Sequence, residues 1–513
     1  MAFALPTVVF LLQKDIGLSL HDEGFVWYGA QRVLADEVPL RDFQAYDIAR
    51  YYWYAAWMWA SDSLGIIPLR AGSAALAGCS VAIAVTLVRS ARRQSVVVTS
   101  LAVATFALWM VPYYKVADSF AAALLVGGLA RLVDTFALRR WLTYGICVGI
   151  AASIGINHAL YGAVAGALAV AWALWQRPGA VTLRRAAGAL AGFLVGYSPV
   201  IAFHVAVPGF AAAFADSVLI LFELGTTNLD RPLWDLATAW LADGPVRPAA
   251  AFRQLVLGAT FLIATPAFIA LCIWRLLRNT GPGPSHASPV FVAAVLTSIP
   301  YAHYAYSRPD IAHFSVGVLP LLVAAWSFPS RRAVGNGGVR QMLLLAVFVI
   351  TGVLAGSEHA LFQALKGAPL LPVKVAGETL RVSPSAADEL RFFQQVTQTH
   401  AAGGRSIYVV PYSPGAYAVT GLRSPVWEIY AIFPATEERQ RREIARLWKA
   451  DVAVAVVSQE QMDGRADLGF NQTHPIIARH LAQCMTPLAD QQLAAAAPDV
   501  VVYVARPQAC ATQ

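Results

Sequence analysis

Acidic and basic side chains lie beside the apolar runs of this sequence, at positions where they could do chemistry together. Asp22 and Glu23 follow the first apolar run. A carboxylate can take a proton from an attacking hydroxyl, and cations can stabilise the charge that grows on a departing phosphate. The residues that could supply those cations are Lys115, Arg308, His313, His158 and Arg50. The pattern predicts group transfer from a phosphate-linked donor, with Asp22 as general base and Glu23 supporting it.

Other polar and aromatic residues near the same ends of the runs are candidates for substrate contacts. They are Tyr28, Asp47, Asp118, Asp310 and Tyr161. Structural roles are the alternative for several candidates. Asp22 could be a surface charge at a helix end, and His158 could be a hydrogen-bonded packing residue. Arg308 and Asp310 could form a pair that only holds a loop.

The composition excludes a soluble protein. Of the 513 residues, 58% are hydrophobic and only 13% are charged, and the mean hydropathy is +0.55. Soluble domains carry about 25% charged residues, so lipid must solvate most of this chain. The formal net charge of +8 falls in short clusters between apolar runs, as in the cytoplasmic loops of membrane proteins. We therefore expect no nucleic-acid partner.

Apolar runs that could cross a bilayer recur along residues 1–364, and they predict about eleven membrane helices. The runs lie near 1–13, 66–88, 96–112, 118–138, 141–156, 159–175, 186–207, 254–274, 288–305, 311–328 and 340–363. Arginines occupy every second loop, which predicts a cytoplasmic N-terminus and places residues 365–513 outside. These arginines are Arg89, Arg92, Arg93, Arg139, Arg140, Arg177, Arg184, Arg185, Arg275, Arg278, Arg331, Arg332 and Arg340.

The first outer loop, residues 14–65, contains two amphipathic stretches, 24–38 and 45–60. The second stretch is dense in Tyr and Trp, and aromatic rings favour the headgroup level of a bilayer. We expect both stretches to be juxtamembrane helices that lie flat on the outer surface. Such helices would wall a cavity that a lipid-borne substrate enters from the side.

Residues 365–513 change character, because they are less apolar and are punctuated by turns. Helical spacing alternates with strand patterns along this segment. The predicted helices are 383–400, 436–450 and 474–484, and the predicted strands are 406–411, 451–458 and 500–505. The alternation predicts a small periplasmic α/β domain after a membrane domain that ends at residue 364. Cys484 and Cys510 both fall in it, and their spacing leaves open whether they form a disulfide.

Two segments resemble known membrane enzymes. The segment DEGFVWYGAQRVL from Asp22 to Leu34, followed by Val38-Pro39 and Arg41-Asp42-Phe43, resembles the opening loop of the GT-C superfamily of integral-membrane glycosyltransferases. The resemblance is to bacterial members similar to glycosyltransferase family 39. The later segment SRPDIAH from Ser307 to His313, with Pro320 in the next helix, is similar to an Arg-x-Asp-x-x-His motif of related bacterial members.

The resemblance implies a GT-C-like fold, a polyprenyl-phosphate-linked sugar donor, reaction on the periplasmic face and inversion at the sugar carbon. The catalytic Asp of the family falls on Asp22, and its second outer-loop acidic residue corresponds to Asp118. Some relatives bind a divalent metal ion near these carboxylates, but no cluster in this sequence has the spacing of a metal site. The sequence departs from many relatives at Asp47–Arg50, where a Pro/Gly turn is common.

The sequence thus predicts an inner-membrane glycosyltransferase, with a glycan, lipid or protein of the cell envelope as acceptor. Two other classes are alternatives: a transporter or flippase of lipid-linked sugars, and a non-catalytic scaffold for envelope assembly. A transporter should show interrupted helices and paired charges near the middle of the membrane, whereas these charges gather at one face. A scaffold would leave the cluster of acids and bases unexplained. No sequence motif for ATP or NAD chemistry is present.

Overall fold

The structure, a computed structural model, divides the described residues into two compact units. The described residues are 1–92, 94–176, 181–224, 228–229, 231–236, 248–278, 287–329, 337–367, 369–488 and 499–506. The first unit comprises Met1–Gln13, Ser73–Pro208 and Thr227–Gln363, and the second comprises Lys14–Gly72, Gly209–Thr226 and Ala364–Gln513. The second unit thus contains the C-terminal segment, and it also contains part of the segment that the sequence analysis grouped into residues 1–364.

The first unit is built from helices. They are Ala4–Gln13, Ile66–Ala91 beyond Gly72, Val96–Leu108, Val116–Thr135, Leu138–Ile154, Ile156–Gln176, Leu183–Ala206, Pro248–Ala259, Thr265–Arg278, Pro289–Ser307, Ile311–Trp326 and Gly337–Leu354. A π-helical turn, Thr260–Ala264, joins two of them. Each apolar run predicted from the sequence overlaps at least one of these helices, and the run 254–274 covers parts of two helices and the π-helical turn between them.

The apolar helices identify the chain as a multi-pass membrane protein. Within the described residues, six helices are long and apolar enough to cross a membrane. The helices Ala4–Gln13, Val96–Leu108 and Ile311–Trp326 are apolar but shorter. A total of eleven spans therefore stays a prediction.

The helix Val116–Thr135 lies in the core of the first unit. It packs against Leu138–Ile154, Pro289–Ser307 and Ile311–Trp326, and 78% of its apolar window is buried within the protein. The corresponding share for Leu183–Ala206 is 17%. A helix that is apolar on all sides must be covered by protein or by lipid, so lipid is the solvent for much of Leu183–Ala206.

Glycines allow Leu138–Ile154 and Leu183–Ala206 to pack in close backbone contact. A Cβ atom added at Gly145 would lie 2.0 Å from the Ala189 carbonyl oxygen, and one added at Gly149 would lie 2.4 Å from the Phe193 carbonyl oxygen. On the facing helix, a Cβ atom at Gly192 would lie 2.1 Å from the Leu142 carbonyl oxygen. Small residues four positions apart form one face of a helix, and they are typical of close helix packing in membranes.

The helix Asp22–Leu34 lies in the interior of the second unit. It packs against Ile48–Ser61 and Gly415–Thr420, and its residues from Glu23 to Ala30 are all buried. The two stretches predicted in the first outer loop are thus helices, but the first is not a surface helix. Its residues Phe25–Tyr28 are four consecutive apolar or aromatic side chains, which surround the helix and require burial on every side.

The C-terminal part of the second unit contains six strands, which form a four-stranded sheet and a separate two-stranded hairpin. The strands are β1 Leu371–Val375, β2 Glu378–Val382, β3 Ser406–Val410, β4 Val452–Ser458, β5 Met485–Pro487 and β6 Val500–Ala505. β3, β4, β6 and β5 form the sheet in this order, and β1 pairs with β2 in a separate hairpin. β3 runs parallel to β4, while β6 runs antiparallel to both β4 and β5. The sequence predicted β3, β4 and β6, and it missed the hairpin and β5, which are short.

Helices complete the second unit. They are Phe210–Leu224, Pro384–His400, Gly415–Thr420, Glu437–Lys449, Phe470–Thr473 and Pro475–Cys484, with Ala360–Leu365 at the boundary between the units. Local capping sets two of their starts. The Ser383 side chain accepts a hydrogen bond from the Ala386 amide, and the Thr436 side chain accepts one from the Arg439 amide. Such N-caps are readable from sequence, and both helices begin within one residue of the predicted positions.

Candidate functional site

Asp22 begins a helix in the second unit, and its side chain is partly exposed. It lies in the first turn of Asp22–Leu34, where the helix dipole favours negative charge. The Tyr430 hydroxyl donates a hydrogen bond to Asp22 Oδ1 at 2.7 Å. In the part of the chain that the structure describes, Oδ2 of Asp22 makes no hydrogen bond. Asp22 thus has capacity to accept a proton from a bound hydroxyl.

Glu23 has the opposite environment, although it is the next residue. Its side chain forms a buried, bidentate ion pair with Arg70, and both nitrogen–oxygen distances are 2.8 Å. Arg70 is only 2% exposed, and Glu23 is 6% exposed. Arg70 also donates to the carbonyl oxygens of Lys14, Ile16 and Gly17. The pair therefore fixes the segment that leads into Asp22, and Glu23 is occupied by Arg70.

The other candidates of the first outer loop lie in the same unit. Tyr28 is buried, its hydroxyl accepts a hydrogen bond from the Ser424 amide at 2.8 Å, and burial raises its pKa. Arg50 is also buried, with its guanidinium 5.4 Å from the centre of the Tyr46 ring. Asp47 directly precedes Ile48–Ser61 and is half-buried. The buried hydroxyl of Tyr28 is used by the protein itself, so this residue supports the fold rather than lining an open surface.

In the first unit, Asp118, His158 and Tyr301 form a buried chain of hydrogen bonds. His158 Nε2 lies 2.9 Å from Asp118 Oδ1, and His158 Nδ1 lies 2.8 Å from the Tyr301 hydroxyl. Asp118 is 3% exposed and His158 is not exposed at all. Because both ring nitrogens of His158 are engaged, the structure does not support direct phosphate binding by His158. The hydrogen-bonded packing role, left open by the sequence, fits its position.

Tyr304 brings several of the predicted cationic residues together in the first unit. The Lys115 ammonium donates a hydrogen bond to the Tyr304 hydroxyl at 3.2 Å. The Tyr304 ring stacks on the His158 ring at 5.9 Å, and its centre lies 5.8 Å from the centre of the His313 ring. Tyr161 lies beside this cluster, and its hydroxyl is 3.0 Å from His303 Nδ1. Sequence reasoning missed Tyr304, although its helical spacing from Tyr301 on an apolar helix is a usable signal.

The segment from Arg308 to His313 forms a compact charged corner between two helices. Arg308 Nε donates to Asp310 Oδ2 at 2.9 Å, and Asp310 Oδ1 accepts from both the backbone amide and the ring Nδ1 of His313 at 2.8 Å. Burial raises the pKa of Asp310, but the hydrogen bonds from His313 and the charge of Arg308 outweigh it and hold the pKa below its usual range. Asp310 is thus an anion that orients Arg308 and His313.

The predicted site residues fall into two groups. The first unit brings together Lys115, Asp118, His158, Tyr161, Arg308, Asp310 and His313, and the second unit contains Asp22, Glu23, Tyr28, Asp47 and Arg50. Two functional-site residues of the second unit were missed. Arg70 is a cation in the first turns of the apolar helix Ile66–Ala91, which is a readable signal, whereas nothing in the sequence links Tyr430 to Asp22.

The residues around Asp22 do not fit a metal site. No group of three or more His, Cys, Asp or Glu side chains within the described ranges is arranged to hold a metal ion. The neighbouring carboxylate Glu23 is occupied by Arg70. We therefore assign no chemical step to a metal. Cys510 lies outside the described residues, so the question of its pairing with Cys484 stays as the sequence left it.

The fold of this chain is similar to the GT-C fold. The chain is similar to ArnT from Cupriavidus metallidurans bound to undecaprenyl phosphate, with a TM-score of 0.54 and 13% sequence identity, over 100% of this chain and 98% of that chain. ArnT in the apo state gives a TM-score of 0.54 and 12% identity, over 99% and 98% of the two chains. At these identities the likeness concerns the fold.

A weaker likeness is to the oligosaccharyltransferase of Archaeoglobus fulgidus, with a TM-score of 0.44 and 10% identity, over 95% of this chain and 73% of that chain. This TM-score is too low to support an argument. No protein-family model matches the sequence, and no curated protein matches it.

Proposed function

We propose that this protein is an inner-membrane glycosyltransferase that moves a sugar from a polyprenyl-phosphate donor to a cell-envelope acceptor on the periplasmic face. The observation that carries the proposal is the environment of Asp22. This carboxylate is partly exposed at a helix N-terminus and is held by one hydrogen bond from Tyr430. Glu23 beside it is buried and paired with Arg70, so Asp22 is the member of the pair that can act as general base.

The proposed reaction is a single displacement at the sugar carbon. The acceptor hydroxyl oxygen attacks that carbon while Asp22 removes the hydroxyl proton. The bond between the sugar carbon and the phosphate oxygen breaks, and its electron pair leaves with the polyprenyl phosphate. Attack from the side opposite the leaving group inverts the configuration. Glu23 and Arg70 act as positioning residues, because they fix the segment before Asp22.

Cations of the first unit are proposed to hold the donor phosphate. Lys115 and Arg308 are partly exposed, and Asp310 orients both Arg308 and His313. A guanidinium suits phosphate oxygens because its N–H groups form a planar fork. The proposal of a polyprenyl-phosphate donor is supported by the similar fold of ArnT, which was determined with undecaprenyl phosphate bound.

The remaining parts of the proposal concern topology and the acceptor. The arginine-rich loops favour a cytoplasmic N-terminus and a periplasmic segment 365–513. We assign catalysis to the membrane domain, residues 1–364 with its first loop 14–65, and acceptor positioning to the C-terminal domain. The acceptor is a glycan, a lipid or a protein.

Sugar transfer by the purified protein in lipid tests the proposal. A panel of polyprenyl-phosphate sugars is supplied with envelope extracts as acceptors, and Asp22→Asn is compared with the wild type. The matched control is Asp62→Asn, an exposed acid in the same unit that ends Ile48–Ser61 in the left-handed conformation, which Asn tolerates. We expect Asp22→Asn to lose at least 100-fold in transfer rate, within the range of general-base catalysis (about 10²–10⁴), and Asp62→Asn to lose none.

Two other results would contradict the proposal, the first in its reaction and the second in the role of Asp22. If the wild type is inert with every donor but still binds a lipid-linked sugar, a transporter or a scaffold is favoured. If the wild type is active and Asp22→Asn keeps its rate, the protein is a glycosyltransferase with another base.

A further inference from the structure

The second unit contains a cavity lined by cations that the proposed reaction does not use. Its volume is about 480 Å³, within the usual range of ligand sites. Four basic side chains line it, and the only carboxylate among the lining residues is Asp42. The basic residues are Arg41, Arg423, Arg446 and Lys449.

The four cations come from three separate segments of the chain. Arg41 belongs to the first outer loop, Arg423 follows the helix Gly415–Thr420, and Arg446 and Lys449 lie in the last turn of Glu437–Lys449. Cations in the last turn of a helix also compensate its dipole, and this effect explains why Arg446 and Lys449 occupy those positions. The helix dipole gives no reason for Arg41 and Arg423 to line the same cavity.

Carboxylates in and around the cavity balance only part of this charge. Arg41 pairs with Asp42, Arg446 pairs with the buried Glu443, and Arg423 pairs with Glu37. Glu37 is shared, because it also pairs with Arg32. With Arg32 included, five cations are set against three carboxylates, which leaves a net charge of +2 among these groups.

The cavity is connected to the candidate base through a short segment of chain. Trp427 lines the cavity, and its indole N–H donates to the Leu40 carbonyl oxygen at 2.8 Å. Tyr430, three residues later, donates the hydrogen bond to Asp22. Three residues span at most about 11 Å of backbone. Gln44 connects the two residues, because its amide donates to the Trp427 carbonyl and its side chain accepts from the Tyr430 amide.

We propose that this basic cavity binds a phosphate group carried by the acceptor, an inference that rests on the proposed function of sugar transfer. Arginine is suited to phosphate because its guanidinium donates two parallel hydrogen bonds. An acceptor whose phosphate is bound in this cavity would place a nearby hydroxyl group of the same molecule at Asp22. The phosphate belongs either to a soluble phosphorylated saccharide or to a lipid headgroup, and the two sources share this chemistry.

Binding measurements on the full-length protein test the cavity without requiring transfer. The soluble probe is inorganic pyrophosphate, titrated by calorimetry into protein in phosphatidylcholine nanodiscs. The lipid probe is phosphatidic acid, titrated into protein in detergent and counted by native mass spectrometry. The cavity variant is Arg423→Gln with Lys449→Gln, because both side chains are exposed. The matched control is Arg441→Gln with Arg442→Gln. These two exposed arginines lie on the same helix as Lys449 and do not line the cavity.

We expect the cavity variant to bind at least one probe tenfold or more weakly than the wild type, and the control to bind within twofold. Loss confined to pyrophosphate identifies a soluble phosphorylated saccharide, and loss confined to phosphatidic acid identifies a lipid headgroup. Binding of neither probe, or equal weakening in both variants, overturns the cavity as a phosphate site.

Transfer kinetics separate this inference from the proposed function. In an active preparation, the cavity variant should raise the acceptor KM with little change in kcat, because the phosphate contact is made in the ground state and the transition state alike. Asp22→Asn should keep wild-type binding of the probes. If no preparation transfers sugar while binding still depends on Arg423 and Lys449, the proposed function fails and the anion site stands.

Discussion

At the scale of single residues, burial assigns different roles to chemically similar neighbours. Asp22 and Glu23 are adjacent carboxylates, yet Asp22 is partly exposed and Glu23 is paired with the buried Arg70. A buried guanidinium that loses its carboxylate keeps the cost of desolvation without the compensating attraction. We therefore expect Glu23 to stabilise the fold of this segment, whereas Asp22 stays a candidate for chemistry.

Replacing Glu23 should destabilise the protein much more than replacing an exposed acid. We expect Glu23→Gln to cost about 3–5 kcal/mol, because it removes the negative charge that compensates the buried Arg70 guanidinium. The matched control is Asp388→Asn, which breaks an ion pair with Arg391 that is more than half exposed and should cost about 0–1 kcal/mol. Thermal unfolding of both variants in one detergent measures the difference. Equal melting temperatures for the two variants would show that the Glu23–Arg70 pair is not important for stability.

At the scale of elements, glycines decide how closely two membrane helices pack. Leu138–Ile154 and Leu183–Ala206 approach so closely that added Cβ atoms at Gly149 and Gly192 would overlap backbone atoms. Lipid tails are as apolar as the helix surfaces, so helix association in a membrane depends on close packing rather than on the hydrophobic effect. Any added side chain at these glycines must push the helices apart.

Gly149→Ala and Gly192→Ala should each lower stability, although Ala favours helices. Overpacking typically costs about 1–3 kcal/mol, which exceeds the gain of about 1 kcal/mol in helix propensity. Gly352→Ala is the control, because a Cβ atom added there would have no neighbour within 4 Å. We expect Gly352→Ala to be neutral or stabilising in thermal unfolding. A Gly149 variant as stable as the Gly352 variant would contradict the close approach of the two helices.

At the scale of the whole molecule, lipid is required as a solvent. The helix Leu183–Ala206 has a mean hydropathy of 1.7, but only 17% of its apolar window is covered by protein. Exposed apolar helices of this kind are stable only in hydrocarbon. The loops between the helices must then alternate between the two sides of the membrane, and their arginines predict which side is cytoplasmic.

Cysteine labelling in intact cells tests that orientation. Two exposed arginines are replaced by cysteine, Arg139 after the helix Val116–Thr135 and Arg391 in Pro384–His400, in a background whose five native cysteines are changed to alanine. We expect a membrane-impermeant maleimide to label Arg391→Cys in cells whose outer membrane is permeabilised, and to label Arg139→Cys only after lysis. The reverse pattern would invert the topology and place residues 365–513 in the cytoplasm.

The sequence predicted the local structure well because local structure depends on periodicity. Apolar runs mark the helices of the first unit, and period-two or period-3.6 patterns mark the elements near 406–411, 436–450 and 474–484. Capping residues such as Ser383 and Thr436 defined the helix starts. β5 was missed because three residues carry too little pattern, and the two strands of the hairpin were missed although β3, which was predicted, has the same length.

The sequence alone determined that the chain is solvated by lipid, where its apolar helices lie, and which ionisable residues are candidates for a site. Only the tertiary structure decided their partners. Glu23 and Arg70 are 47 positions apart, and Asp22 and Tyr430 are 408 apart, so no local pattern connects them. Composition and periodicity describe how a segment is solvated, but the pairing of buried charges depends on the path of the whole chain.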